Sequence, residues 1–137
     1  MNNSALFLAM LNRIKMPYKM KSINGGAMFA VEFTAGDMDL TAHIAIYDDD
    51  YRVRIVVGHL FHYEKDEQDS VLDILNFALE ERKCATAVAV NGQVALRREI
   101  SAGDDFNPSL ILKAIDRMKD SCVSLVDKLE LLNRPLS

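Results

Sequence analysis

Only two cysteines occur in the 137 residues, Cys84 and Cys122, far apart and in no CxxC arrangement. A disulfide framework is therefore not expected, and both thiols should be reduced and partly buried in a cytosolic chain. No apolar run approaches the roughly 18 residues that a membrane span requires. The N-terminus, Met1-Asn2-Asn3-Ser4, lacks the basic region of a signal peptide. Its apolar stretch from Ala5 to Leu11 is broken by Asn12-Arg13 and has helical spacing, so a folded helix in a cytoplasmic protein is expected. GxSxG, P-loop and GxGxxG patterns are all absent, no histidine neighbours either cysteine, and the few serines fall at helix ends or polar faces. Nucleophilic catalysis needs a nucleophile beside an oriented base, so the chain is expected to be no enzyme and to need no cofactor. A net charge of −4 and a pI near 5.3 argue against general nucleic-acid binding, which rests on neutralising phosphates. A local basic cluster, Arg13, Lys15, Lys19 and Lys21, reads as a solvated edge.

What is present is a well-ordered succession of elements. Half the residues are hydrophobic and 26% are charged, the composition of an ordinary globular domain. The length suits a single domain over residues 1–137, long enough to bury about two-thirds of its unfolded surface. Leu6, Phe7, Met10, Leu11 and Ile14 share one helical face, with Asn3 or Ser4 able to cap it and Pro17 ending it. Four extended segments follow: Tyr18 to Ile23, Met28 to Thr34, Leu40 to Tyr47, and Tyr51 to Val57. The turns between them carry Asn24-Gly25-Gly26, Gly36-Asp37 and Asp48-Asp49-Asp50. Connections this short favour an antiparallel meander. Asp66 to Lys83 returns to helical spacing through Val71, Leu72, Leu75, Ala78 and Leu79. Asn91-Gly92 between Ala85–Val90 and Gln93–Ile100 is a strong hairpin signal, because a type I′ turn needs positive φ at both positions. Asn107-Pro108 then starts a helix of about 25 residues, roughly 37 Å long. Its stripe is Ile111, Ile115, Met118, Cys122, Leu125, Leu129 and Leu132. The fold class expected is α+β, in the order α-β-β-β(-β)-α-β-β-α.

Several groups invite a functional reading. The last helix looks too long for a small sheet to cover, so its distal part, with Leu125, Leu129 and Leu132, is the candidate dimer or partner surface. His59 and His62, followed by Glu64 and Asp66, form the one metal-like cluster, but their spacing is no recognised ligand pattern, so no metal is expected. The Asp48–Asp50 run lacks the later ligands of a calcium loop and reads as a solvated hairpin tip. Arg52 and Arg54 should share the solvent face of the sheet with Glu32 and His43, where opposite charges pair modestly. An exposed sheet edge accepts an extended peptide as an added strand. The alternative is a small-ligand sensor, with a pocket between sheet and helices lined by Tyr47, Tyr51 and His43.

The order of elements resembles the type III secretion chaperone-like fold and, within it, the YbjN-like family of bacterial proteins. The resemblance is carried by Leu40 to Val57 with its acidic tip, by Val71 to Leu79, and by Ala87 to Arg97 running into the Asn107-Pro108 helix. It covers nearly the whole chain. It implies a small, non-enzymatic homodimer that recognises a protein segment through apolar sheet or helix surface, with no catalytic residues to carry over. A fourth strand before the second helix favours the YbjN-like branch over effector chaperoning.

Overall fold

The computed structural model describes residues 2–81, 85–103 and 106–133. Helix α1 (Asn3–Arg13) is followed by strands β1 (Lys19–Ile23), β2 (Gly26–Ala35), β3 (Met38–Tyr47) and β4 (Arg52–His62). A 3-10 turn, Lys65–Glu67, leads into α2 (Gln68–Glu81). The hairpin β5 (Thr86–Val90) and β6 (Gln93–Ser101) precedes α3 (Ser109–Glu130), which ends in a 3-10 turn at Leu131–Asn133. The six strands make one antiparallel sheet in the order β1-β2-β3-β4-β6-β5. The first four strands are thus a meander, and the β5–β6 hairpin joins it along β4. Among the described residues, no helix is long and apolar enough to cross a membrane.

Alternation sets one face of the sheet against the helices. Phe29, Ile44 and Ile55 stand in register across β2, β3 and β4, and the next row is Val31, Ala42, Val57 and Leu96. All seven are buried, with Phe7 of α1 meeting Phe29 edge-on at 5.0 Å between ring centroids. α3 lies over β2 and β4, α1 over β3, and α2 beside β5. The full α3 stripe turns toward this sheet: Ile111, Ile115, Met118, Cys122, Leu125 and Leu129 are all buried. At about 1.5–3 kcal/mol for each large apolar side chain removed from water, this stripe is a main source of the fold's stability.

Several local details differ from the sequence expectation. The cap of α1 is Asn2, whose side chain accepts from the Ala5 backbone N–H, rather than Asn3 or Ser4. Ile14 is 45% exposed, because the helix stops at Arg13 and the chain turns away. That stop is a Schellman motif: Met16 N–H donates to Leu11 O and Lys15 N–H to Asn12 O, with Lys15 in the left-handed region at φ 59°. Gly26 begins β2 rather than lying in the turn, and a Cβ there would collide with the Ile46 carbonyl oxygen. Tyr51 sits in the turn at φ 50° rather than in β4. The Asn91-Gly92 turn is as expected, with φ of 53° and 79°. So is the start of α3, where Asn107 Oδ1 accepts from the Ser109 backbone N–H at 3.0 Å. Glu64 forms an unforeseen capping box with Glu67, whose carboxylate accepts from the Glu64 backbone N–H at 3.0 Å. Cys84, Arg82, Lys83 and Pro135 lie outside the described residues.

Candidate functional site

The described helices lie on one side of the sheet, and no described helix covers its other face. The register fixes what stands there. Met28, Ala45, Arg54 and Glu99 form one row across β2, β3, β4 and β6, and Ala30, His43, Val56 and Arg97 form the next. Val88 and Ala95 extend the face to β5. Apolar Met28, Ala30, Ala45, Val56, Val88 and Ala95 thus alternate on this face with His43, Arg54, Arg97 and Glu99. Ala45 is only 4% exposed although no helix covers it, since the longer Met28 and Arg54 flank it in register.

The charges on this face pair differently from the expectation. Arg54 reaches β6, where Nε and Nη2 donate to Glu99 Oε1 at 2.9 and 2.7 Å. Glu32 lies on β2, two strands from Arg54, and takes no part in that pair. The Arg54 hydrogen bonds hold the exposed Glu99 carboxyl below its ordinary pKa, assisted by the charges of Arg52 and Arg97. Arg52 lies over the Tyr47 ring, 4.7 Å from its centroid, and reaches Asp50 at 3.7 Å. On the helix side of β6, Arg98 interrupts the apolar row opposite Ile55, and its Nη1 is buried without a hydrogen-bond partner.

A hollow of about 530 Å³ lies over the start of β1 and over β2 and β3, lined by Pro17, Tyr18, Lys19, Ala30, Glu32, Thr41 and His43. A neighbouring hollow of about 520 Å³ continues over Glu32, Thr34, Asp39 and Thr41. Tyr47 and Tyr51 line neither of these two hollows. The space between sheet and helices holds fully buried side chains, among them Phe7, Phe29, Ile55, Met118 and Leu129.

In the structure the distal helix turns Leu125 and Leu129 toward its own chain. Leu125 and Leu129 are 3% and 0% exposed within the single chain, and Leu132 packs against the same core. A side chain already removed from water by its own domain has no further area to bury against a partner. α3 packs on β2 and β4 of the sheet and against α2, and these elements bury the stripe.

His59 and His62 both belong to β4, not to a segment beyond it. The register shifts between Val57 and Phe61, and His59 sits in this irregularity at φ 55°. His62 contacts Glu64 at 3.4 Å and Gln93 at 3.0 Å. Among the described residues, no group of three or more metal-ligating side chains gathers there or elsewhere. The acidic tip is partly structural: Asp48 accepts from the Ser4 backbone N–H at 2.9 Å and from its hydroxyl at 2.7 Å. It thus serves the first turn of α1 across the sheet corner.

The chain is similar to one chain of a solved structure, the ExsC–ExsE complex, with 10% identity and a TM-score of 0.58 over 89% of this chain and 92% of that one. The likeness shows the fold, which is α+β and type III secretion chaperone-like. No protein-family model matches the chain, and no curated protein matches it.

Proposed function

We propose that this chain is a non-enzymatic protein-binding module, chaperone-like or regulatory, that works in the cytoplasm as a homodimer and holds a segment of a partner protein. The observation that carries this reading is the open sheet face, where Met28, Ala30, Val56, Val88 and Ala95 stand half-buried among His43, Arg54, Arg97 and Glu99. A face of this kind offers area to be buried without any rearrangement of the core. The similar solved structure is itself a complex of two proteins, which supports the same reading. Placement in the YbjN-like family rests on the element pattern, including the fourth strand β1 ahead of α2.

The two sheet edges suggest where the second copy sits. β1 carries Lys19 and Lys21, the kind of charge that protects an edge. β5 reads Thr-Ala-Val-Ala-Val without a charge, and its Val90 is 60% exposed. A neutral edge is self-compatible, so two β5 strands can pair about a two-fold axis. Val88→Lys should then convert a two-chain particle into a single chain by light scattering, with the melting temperature nearly kept.

The face itself is tested by Val56→Asp. Val56 is half-buried on the open side and supports no helix. A partner that co-purifies in near-equal amount with the wild-type chain should be lost, while the circular dichroism spectrum stays the same. Retention of that partner at wild-type level would move the binding surface elsewhere.

A further inference from the structure

The basic cluster has a setting that the sequence alone did not reveal. Arg13 and Lys15 end α1, and Lys19 and Lys21 follow on β1, with no acidic residue between positions 13 and 21. All four are exposed, and none of them forms an ion pair with another described residue. Lys19 and Lys21 thus make β1 a positive strand on a chain whose net charge is −4.

β1 is also the outer strand of the sheet, hydrogen-bonded only to β2. No described strand lies beside its other backbone side. Lys19 and Lys21 stand opposite Ala30 and Met28, so both belong to the uncovered face. Met20, on the alternate side, is 46% exposed. The hollow lined by Pro17, Tyr18, Lys19, Ala30, Glu32, Thr41 and His43 lies over the start of β1 and over β2 and β3. Glu32 is the one acidic group in its lining.

These features select among occupants. A second copy of this edge would bring lysines against lysines, which opposes pairing. An extended segment with acidic side chains meets Lys19 and Lys21 with opposite charge and pairs with the backbone side of β1 that faces away from β2. We propose that the β1 edge receives an extended, acidic protein segment as a seventh strand, oriented by Lys19 and Lys21. This rests on the protein-binding reading above and deepens it by naming the edge and the chemistry of the segment. Regular β1 pairing and a free backbone edge favour a peptide over a nucleic acid, whose backbone cannot extend the ladder.

The test uses the full chain and fluorescent strand-length peptides in which valine alternates with glutamate, with lysine, or with serine. Anisotropy is read at about 0.05 M and about 0.5 M salt, where screening differs strongly. The glutamate peptide should bind best and weaken at least about tenfold at the higher salt. Lys19→Glu/Lys21→Glu should weaken it by a similar factor while the thermal melt stays near wild type. Amide exchange of Lys19–Ile23 should slow when the peptide is present. Equal binding of the three peptides, or glutamate binding that the double variant leaves unchanged, overturns the proposal. A single-stranded oligonucleotide that outcompetes the glutamate peptide also overturns it. If only the serine peptide binds, and Val56→Asp abolishes it, the protein-binding reading stands and the acidic-segment proposal falls. If no peptide binds, and Val56→Asp leaves the natural partner bound, both readings fall together.

Discussion

Asp48→Ala removes two acceptors at once from the first turn of α1. Ser4 is buried, and it donates its backbone N–H to Oδ1 at 2.9 Å and its hydroxyl to Oδ2 at 2.7 Å. A hydrogen bond to a charged group contributes about 1.5–3 kcal/mol, and loss of a helix cap costs about 0.5–2 kcal/mol. The two losses do not simply add. The Ser4 hydroxyl keeps Asn2 Oδ1 as a second acceptor at 3.1 Å, so only the N–H is left without one. The expected cost is therefore about 2 kcal/mol, near the lower end of the summed range. For a domain of this size that corresponds to a fall in melting temperature of about 6–10 °C. Urea unfolding at neutral pH should show a lower midpoint with an unchanged slope, since native packing and exposed area stay the same. Asp49→Ala, at an exposed position of the same turn, should stay within about 0.5 kcal/mol of wild type. A cycle with Ser4→Ala should give a coupling of at least about 0.5 kcal/mol. An Asp48→Ala protein as stable as Asp49→Ala, or strict additivity with Ser4→Ala, would refute the capping role.

Leu129→Ala should cost about 2–5 kcal/mol by calorimetry or urea unfolding, because the side chain is fully buried, and the oligomeric mass of the folded fraction should not change. A near-neutral effect on stability coupled to a loss of self-association would restore the distal helix as an interface. Lys15→Gly should stabilise the fold by about 0.5–1 kcal/mol, since glycine takes the positive φ of the Schellman position without the Cβ penalty; a destabilised variant would contradict this account of the α1 terminus. Glu99 has a lowered pKa in the folded state, so its contribution to stability is present above the ordinary carboxylate value of 4.5 and is lost as pH falls through the folded value. Glu99→Gln should therefore flatten the stability profile on the acid side of 4.5, and a variant whose profile parallels wild type there would remove Glu99 from the account.

Local signals were readable in the sequence because both partners lie close together in the chain. Asn91-Gly92 and Asn107 each act within two or three residues, and the α3 stripe from Ile111 to Leu129 is a periodicity internal to one helix. Long-range pairs were not readable. Ser4 meets Asp48 across 44 positions and Arg54 meets Glu99 across 45, and nothing near either residue announces its partner. That Leu125 and Leu129 face their own chain has the same origin. α3 packs on β2, β4 and α2, elements remote from it in the sequence. The uncovered face became visible only when the register placed Met28, Ala45 and Val56 together. The basic residues were evident as a cluster, but their position on a free edge followed from strand order.

The join between β4 and β6 has a consequence for how the molecule comes into being. β1 through β4 pair with sequence neighbours, whereas Arg52 finds Ser101 only after α2 and the β5–β6 hairpin have been made. Closing so long a loop is entropically slow compared with forming a hairpin. A chain emerging from the ribosome can thus complete the meander while the partner of β4 is still being synthesised. During that interval β4, with Val53, Ile55 and Val57, is itself an outer strand open to other chains. The arrival of β6 ends that exposure, so the β5–β6 hairpin acts as the seal of an otherwise adhesive nascent sheet.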